Sequence, residues 1–274
     1  MSPSANVSAP SAPDLEAMLD LRAAALPGIL REAGAIARAG FDSPDAVFEL
    51  KGPQDFLTAT DAAVEEYLRG RLGAQFENDD FYGEEGGGHL GQSVWIVDPI
   101  DGTANFARRI PHYCIAIAYV FAGETRLGGI YDPSRDELYL ARKGQGASRN
   151  GKPISVSGTD RFESATIEMG WSRRVSTEVY LRTLSDFIET GFNVRRAATG
   201  ALGLAYVADG RSDGYVELHM QPWDCLAGLL IVREAGGHVG NFEGGGKIQG
   251  GGPVLASNAH LSRTLSEISG IDLA

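Results

Sequence analysis

The period of the apolar positions changes several times along the chain, and each change predicts an element. From Asp14 to about Ala39, Leu15, Met18, Leu19, Leu21, Leu30 and Ile36 recur near the spacing of an amphipathic helix, which Pro27 is expected to bend or interrupt. Phe48 to Leu50 reads as a short strand, and Gly52-Pro53 as a turn. Thr60 or Asp61 is placed to cap a helix reaching about Leu72, because side-chain acceptors and early acidic residues suit a helix start. Val94 to Val97 is a continuous apolar run of strand length that stops at Asp98-Pro99. Further strands are predicted at Cys114 to Phe121, Thr125 to Tyr131 and Glu137 to Arg142, and Asn150-Gly151 has the chemistry of a hairpin turn. Beyond this β-rich middle, helices are expected at Thr177 to Glu189, Ala201 to Ala208 and Asp224 to Ala235, the last ending at Gly236-Gly237. Strands are expected at Gly214 to Leu218 and Val254 to Ala256, with mobile loops at Gly244-Gly-Gly246 and Gly250-Gly-Gly252. No internal repeat is visible. The irregular alternation predicts a layered α/β (α+β) architecture rather than a barrel or a repeat.

Composition narrows the picture. A chain of 274 residues with 43% hydrophobic content can build one large domain or two intimately packed ones. Its formal charge of −12 and lack of a basic cluster exclude a nucleic-acid partner as the expectation. An anionic ligand would therefore need local neutralisation, which bound metal ions supply. Cys114 and Cys225 each sit in apolar surroundings and read as buried free thiols of a reducing compartment. Residues 1–13 lack the basic and apolar regions of a signal peptide and read as a disordered tail; no run is long enough for a membrane span. The expected location is cytoplasmic.

Four acidic clusters flank Gly, Pro or the end of an apolar run: Asp61; Glu84-Glu85; Asp98 and Asp101; Glu217 and Asp224. Taken singly, each is more often a solvated charge. Asp98-Pro-Ile-Asp101 places two carboxylates directly after a buried strand, with Gly102 and Thr103 positioned to open a helix. Hard divalent cations take oxygen ligands, and phosphate oxygens take free backbone N–H groups, so this segment suits both. An Asp-Pro turn followed by an Asp N-cap accounts for the same residues without a ligand. The five histidines form no metal-binding spacing and read as structural or surface residues.

Taken together, Gly83-Glu-Glu85, Trp95-Ile-Val-Asp-Pro-Ile-Asp-Gly-Thr-Ala-Asn105 and Trp223-Asp224 resemble the inositol monophosphatase family. Thr58-Ala-Thr-Asp61, the segment from Gly144 to Asn150-Gly151, and Glu234-Ala-Gly-Gly237 extend the match over nearly the whole chain from Asp14. The resemblance implies an αβαβα sandwich of the inositol monophosphatase / fructose-bisphosphatase type. It implies a single catalytic domain over 14–274, with an N-terminal part at about 14–150 and a C-terminal part at about 151–274. It also implies a homodimer and two to three Mg2+ ions per site. Glu84, Asp98 and the Ile100 carbonyl would hold the first ion, and Asp98, Asp101 and Asp224 the second. Glu84 would help with a third through water. Thr103, paired with Asp61, would orient or deprotonate the attacking water, while the Gly102 and Thr103 amides would receive the phosphate. Glu217, seven residues before Asp224, matches a glutamate that accepts a substrate hydroxyl, and Gly200 falls where a small residue contacts substrate. Lys51 and Glu85 would stand near the site.

The implied activity is hydrolysis of a small phosphate monoester by metal-activated water, inositol 1-phosphate first. Histidinol phosphate, sugar bisphosphates and nucleotide phosphates remain open, as does a regulatory binding protein on the same fold. A decayed site would be expected to lose at least one ligand, and here Glu84, Asp98, Asp101, Thr103 and Asp224 are all present.

Overall fold

In the computed structural model, residues 12–43, 48–52, 55–244 and 247–274 are described, without the side chains of 48–52, 55–57 and 247. The Lys51 side chain and residues 1–11 of the expected tail therefore lie outside the described residues. Helix α1 (Ala12–Asp42) runs unbroken through Pro27. Leu19, Leu26, Ile29, Leu30, Ala33 and Ala37 are buried on both sides of the proline, and that packing outweighs an internal proline's cost of ~3 kcal/mol. The helix starts two residues before the predicted Asp14, because Pro13 in the first turn forfeits no hydrogen bond.

Strands β1 (Phe48–Gly52) and β2 (Asp55–Thr58) form an antiparallel hairpin leading into α2 (Ala59–Gln75). The cap of α2 is Thr58, not Thr60 or Asp61. Asp61 is instead the third helical residue, and its carboxylate accepts the Thr58 amide at 2.9 Å while Thr58 Oγ1 accepts the Asp61 amide at 3.4 Å. This capping box reaches one turn earlier than the polar run suggested.

The first sheet comprises β3 (Asp80–Gly83), β4 (Gly87–Gly88), β5 (Ser93–Asp101), β6 (Cys114–Phe121), β7 (Glu124–Asp132), β8 (Glu137–Arg142), β9 (Ala147–Arg149) and β10 (Lys152–Pro153). Its order is β10-β9-β8-β7-β6-β5-β3-β4, antiparallel except for the β3–β5 pair. A short helix, α3 (Thr103–Ala107), follows β5. The second sheet has β11 (Thr166–Met169), β12 (Asn193–Arg195), β13 (Gly214–Met220), β14 (His238–Val239) and β15 (Gly252–Ser257) in the order β12-β11-β13-β15-β14. Helices α4 (Thr177–Thr190), α5 (Gly200–Ala208), α6 (Pro222–Glu234), α7 (Lys247–Gly250) and α8 (Ser262–Ser269) complete the chain.

Five layers result, as the αβαβα expectation has it. Alternate residues of β6 divide between two cores. Ile115, Ile117 and Tyr119 pack against α1 and α2, while Cys114, Ala116 and Ala118 face α5 and α6. The outer face of the second sheet carries Ile167, Val216 and Leu255 against Phe187 of α4 and Leu265 of α8. Burial on both faces explains why these antiparallel strands read as unbroken apolar runs. Adjacent glycines of β7 show how tightly the first sheet is held. A Cβ on Gly128 would lie 2.7 Å from the Ala227 carbonyl oxygen of α6, and one on Gly129 would lie 2.5 Å from Leu30 Cδ1 of α1. The glycines at 250–252 are likewise not a mobile loop. Gly250 ends α7, Gly252 pairs with Met220, and a Cβ on Gly251 would collide with the Met220 carbonyl, so close backbone approach selects glycine there. Gly245 and Gly246 lie outside the described residues.

Candidate active site

The end of β5 makes the site possible. Residues three apart on a regular strand face opposite sides of the sheet. Asp98 pairs with Ala116 and Asp101 with Cys114, so three steps on β5 oppose two on β6. The extra residue is a bulge, and it turns both carboxylates toward the inner layer that Ala116 and Cys114 face. Gly102 then adopts φ +92°, and a Cβ there would meet Thr199 Oγ1 at 2.5 Å. Gly102→Ala is expected to lower stability by about 2–4 kcal/mol through backbone strain and overlap. A urea midpoint unchanged from the parent chain would show that the loop relaxes without cost.

Three other elements converge on this point. β3 is parallel to β5, so its carboxyl end delivers Glu84 beside Asp98, and the Glu84 amide donates to the Val97 carbonyl at 3.1 Å. Glu65 of α2 holds the same loop by accepting from the Glu85 and Gly86 amides at 2.9 and 2.8 Å. Asp224 is the third residue of α6, which begins at Pro222 rather than the predicted Asp224. The Gln221 amide donates to one Asp224 oxygen at 3.1 Å. Carboxylate oxygens of Glu84, Asp98 and Asp224 all lie within 4.8 Å of one another. Asp98 Oδ1 is buried without a hydrogen-bond partner among the described residues, an arrangement that a hard cation with oxygen ligands would satisfy.

Asp101 is engaged differently. Its oxygens accept the Gly200 and Ala201 amides at 3.2 and 2.7 Å, and the Cys114 thiol donates at 3.7 Å. Asp101 thereby caps α5, whose own N-cap, Thr199, supplies no side-chain bond. Both cysteines are free and buried, as expected.

The carboxyls share a low-dielectric space that raises them all. Burial first, then the charges of Glu84, Asp101, Asp224 and Asp61, hold the Asp98 pKa well above the usual carboxylate range. Burial raises Asp101 to about 7, Asp224 to about 6 and Glu217 to about 8. Each folded-state carboxyl thus binds its proton more tightly than the unfolded chain does. The metal-free protein therefore has the full contribution of these groups near pH 4 and below, and loses it as pH rises through about 6 to 8. In chelator, the urea midpoint should fall between pH 5 and pH 8, and a midpoint that rises over that interval would contradict the linkage.

Asp61 is fully buried and accepts from the Thr58 amide, from the Thr58 hydroxyl, and from Thr103 Oγ1 at 3.2 Å. Thr103 Oγ1 also lies 2.9 Å from the Ile100 carbonyl, so its single proton is divided between two acceptors. Glu85 stands close enough to raise Asp61 further, after burial. Trp95, part of the same motif, points the other way and donates to Asp79 at 2.9 Å in the α1–α2 core.

A cavity of about 210 Å³ lies over these groups, lined by Asp98, Asp101, Thr103, Gly200, Glu217 and Asp224 among others. Tyr215 donates to Glu217 at 2.6 Å, and a Cβ on Gly200 would approach Met220 Cε to 2.5 Å, so glycine there keeps the wall open. A second cavity, about 550 Å³, shares Glu84, Glu217 and Asp224 with the first. His219, one of the histidines read as structural or surface residues, lines it.

Two further residues there had no role assigned from the sequence, one inside the Trp95–Asn105 motif and one outside any motif. Asn105 Nδ2 donates to the His112 and Ala197 carbonyls, each at 2.9 Å, and to Thr199 Oγ1 at 3.0 Å, fastening α3 to the loop before α5. Glu168, 2% exposed, accepts the Ala197 amide at 3.1 Å, and its second oxygen has no partner among the described residues. A lone Glu inside Thr166-Ile-Glu-Met169 looks like any solvent-facing strand residue; only pairing of β11 with β13 places it beside Tyr215.

Comparison with known proteins agrees with this fold. The model of the inositol monophosphatase family matches residues 19–271. The Nus factor SuhB of Salmonella typhimurium is 36% identical over 241 residues, covering 86% of this chain and 90% of that protein. The inositol-1-monophosphatase of Rhizobium meliloti is 38% identical over 224 residues, covering 80% and 84%. Among solved structures, the extragenic suppressor protein suhB of Bartonella henselae superposes with a TM-score of 0.84 at 33% identity, over 92% of this chain and 98% of that one. The inositol monophosphatase from Anabaena gives 0.78 at 30% identity, over 93% and 96%. With the matched family spanning nearly every element described above, the chain belongs to the inositol monophosphatase family.

Proposed function

We propose that the protein is a magnesium-dependent phosphatase that hydrolyses a small polyol phosphate, inositol 1-phosphate first, to the alcohol and phosphate. The observation that carries this reading is the trio of Glu84, Asp98 and Asp224, in which Asp98 Oδ1 has no partner among the described residues. Glu84, Asp98, Asp101, Asp224 and the Ile100 carbonyl are the groups that would hold two to three magnesium ions. Bound magnesium would neutralise charge on the phosphoryl oxygens and acidify water.

The chain's own residues do the rest. Thr103 orients the attacking water, and Asp61 accepts the Thr103 hydroxyl proton, so a proton leaving the water has a path into a buried carboxylate. The Gly102 and Thr103 amides face the phosphate. Glu217, with Tyr215 fixing one of its oxygens, leaves the other for a substrate hydroxyl, and Gly200 makes room for the ring. The relatives named Nus factor SuhB bear a different name from those named inositol-1-monophosphatase. Hydrolysis is favoured here because carboxylate oxygens of Glu84, Asp98 and Asp224 lie within 4.8 Å of one another and Asp101, Thr103 and Glu217 line the same cavity.

No described helix is long and apolar enough to cross a membrane. A cytoplasmic homodimer belongs to the same proposal, and sedimentation at micromolar concentration tests the dimer. The activity is tested by phosphate release in magnesium from inositol 1-phosphate, histidinol phosphate, fructose 1,6-bisphosphate and adenosine 3′,5′-bisphosphate. Turnover of inositol 1-phosphate that vanishes in chelator is expected, and no release from any of the four would refute the reading.

A further inference from the structure

A buried carboxylate that the proposed reaction does not use stands behind the wall of the smaller cavity. Residues 196–199 join β12 to α5, and Arg196, Ala198, Thr199 and Gly200 line the cavity of about 210 Å³. Ala198 holds φ +60°, the left-handed region in which the Cβ of an L-residue crowds its own backbone. Groups from outside the loop keep it there. Asn105 Nδ2 of α3 donates to the Ala197 carbonyl at 2.9 Å and to the Ala198 carbonyl at 3.4 Å, and Glu168 of β11 accepts the Ala197 amide at 3.1 Å. The peptide groups on either side of Ala197, and the one after Ala198, are thereby fixed from two elements.

An ionisable group is unfavourable where Glu168 lies. It pairs in register with Tyr215 of β13, is 2% exposed, and packs against α5, where a Cβ on Gly203 would be 3.4 Å from its Cδ. Removing a carboxylate from water disfavours folding unless other groups hold its charge. Burial raises the Glu168 carboxyl pKa, and the Ala197 amide, Arg195 and Arg196 draw it back. All three belong to the stretch that Glu168 holds. A leucine of similar size would fill the space without a buried charge, so packing does not call for a carboxylate there, whereas the left-handed Ala198 calls for a clamp. Beyond that residue the chain is fastened separately, by the Gly200 and Ala201 amides on Asp101.

Resting on the phosphatase reading above, we propose that Glu168 is a positioning residue for substrate: it clamps the Ala197 peptide, keeps Ala198 left-handed, and so shapes the wall from Arg196 to Gly200 that receives the alcohol part of the ester. The phosphate and metal groups lie on other elements, so the clamp governs affinity rather than the chemical step.

The test follows inositol 1-phosphate hydrolysis by the full chain in magnesium. Glu168→Leu should raise KM by about tenfold, the worth of one hydrogen bond to a charged group, with kcat within about twofold and the urea midpoint near that of the parent chain. Glu168→Gln keeps an acceptor for the Ala197 amide and should hold KM within about threefold. Glycine adopts the left-handed region readily, so adding Ala198→Gly to Glu168→Leu should recover most of the lost affinity. Glu168→Met carries the same expectations should the leucine variant not fold. Equal KM for the parent and leucine chains, equal damage from glutamine and leucine, or no recovery with Ala198→Gly would overturn the clamp. A fall in kcat together with the urea midpoint would make Glu168 a support of the fold and overturn it too. If the parent chain turns over none of the four phosphate esters, the phosphatase reading fails, and hydrogen exchange decides the clamp by itself. Amides 196–199 should exchange faster in Glu168→Leu than in the parent chain or Glu168→Gln, and equal exchange in all three would refute it.

Discussion

Asp98→Asn abolishes turnover in magnesium, lowering kcat by at least ~10³-fold, while the protein stays folded. Asp98 is buried, its Oδ1 has no partner among the described residues, and its charge faces Glu84, Asp101, Asp224 and Asp61. Asparagine keeps the shape and removes the charge that would bridge the metal ions. In chelator, the same substitution relieves like-charge repulsion, so the urea midpoint of the variant at pH 8 should equal or exceed that of the parent chain. The two readouts together separate loss of chemistry from loss of fold. Near-normal activity of Asp98→Asn in magnesium would remove the carboxylate from the centre of the site.

Thr103→Ala lowers kcat by roughly 10²–10⁴-fold with little change in KM, the size expected when a positioned proton carrier is removed. Its hydroxyl proton is divided between Asp61 at 3.2 Å and the Ile100 carbonyl at 2.9 Å, and no other described side chain bonds to Asp61 except that of Thr58. Removing the hydroxyl cuts the water from that buried acid while leaving the Gly102 and Thr103 amides in place for the phosphate. Thr103→Ser should restore most of the rate. A defect confined to KM would assign Thr103 to substrate binding and leave the proton without the proposed path.

The motif from Trp95 to Asn105 announced carboxylates at a strand end, and the structure finds them there. Its spacing could not reveal that Asp98 and Asp101 face the same layer. Strand alternation alone separates them, and the bulge opposite Ala116 and Cys114 reunites them. Asp101 shows a second limit, because its bonds to the Gly200 and Ala201 amides join residues nearly a hundred positions apart. The Thr58 cap was missed by two residues because a capping box is set by its third helical residue, and Asp61 serves both that box and Thr103.

Local chemistry wrote much of this protein into its sequence. The continuously apolar strands, the paired carboxylates after one of them and a helix running on from Asp224 were legible, because each depends on residues a few positions apart. The convergence of Glu84, Asp98 and Asp224 and the hidden Glu168 at the loop before α5 were decided only by the tertiary structure. Strand order and crossover connections set those distances, and the electrostatic coupling that raises the carboxyl pKa values exists only once burial has removed the water between them.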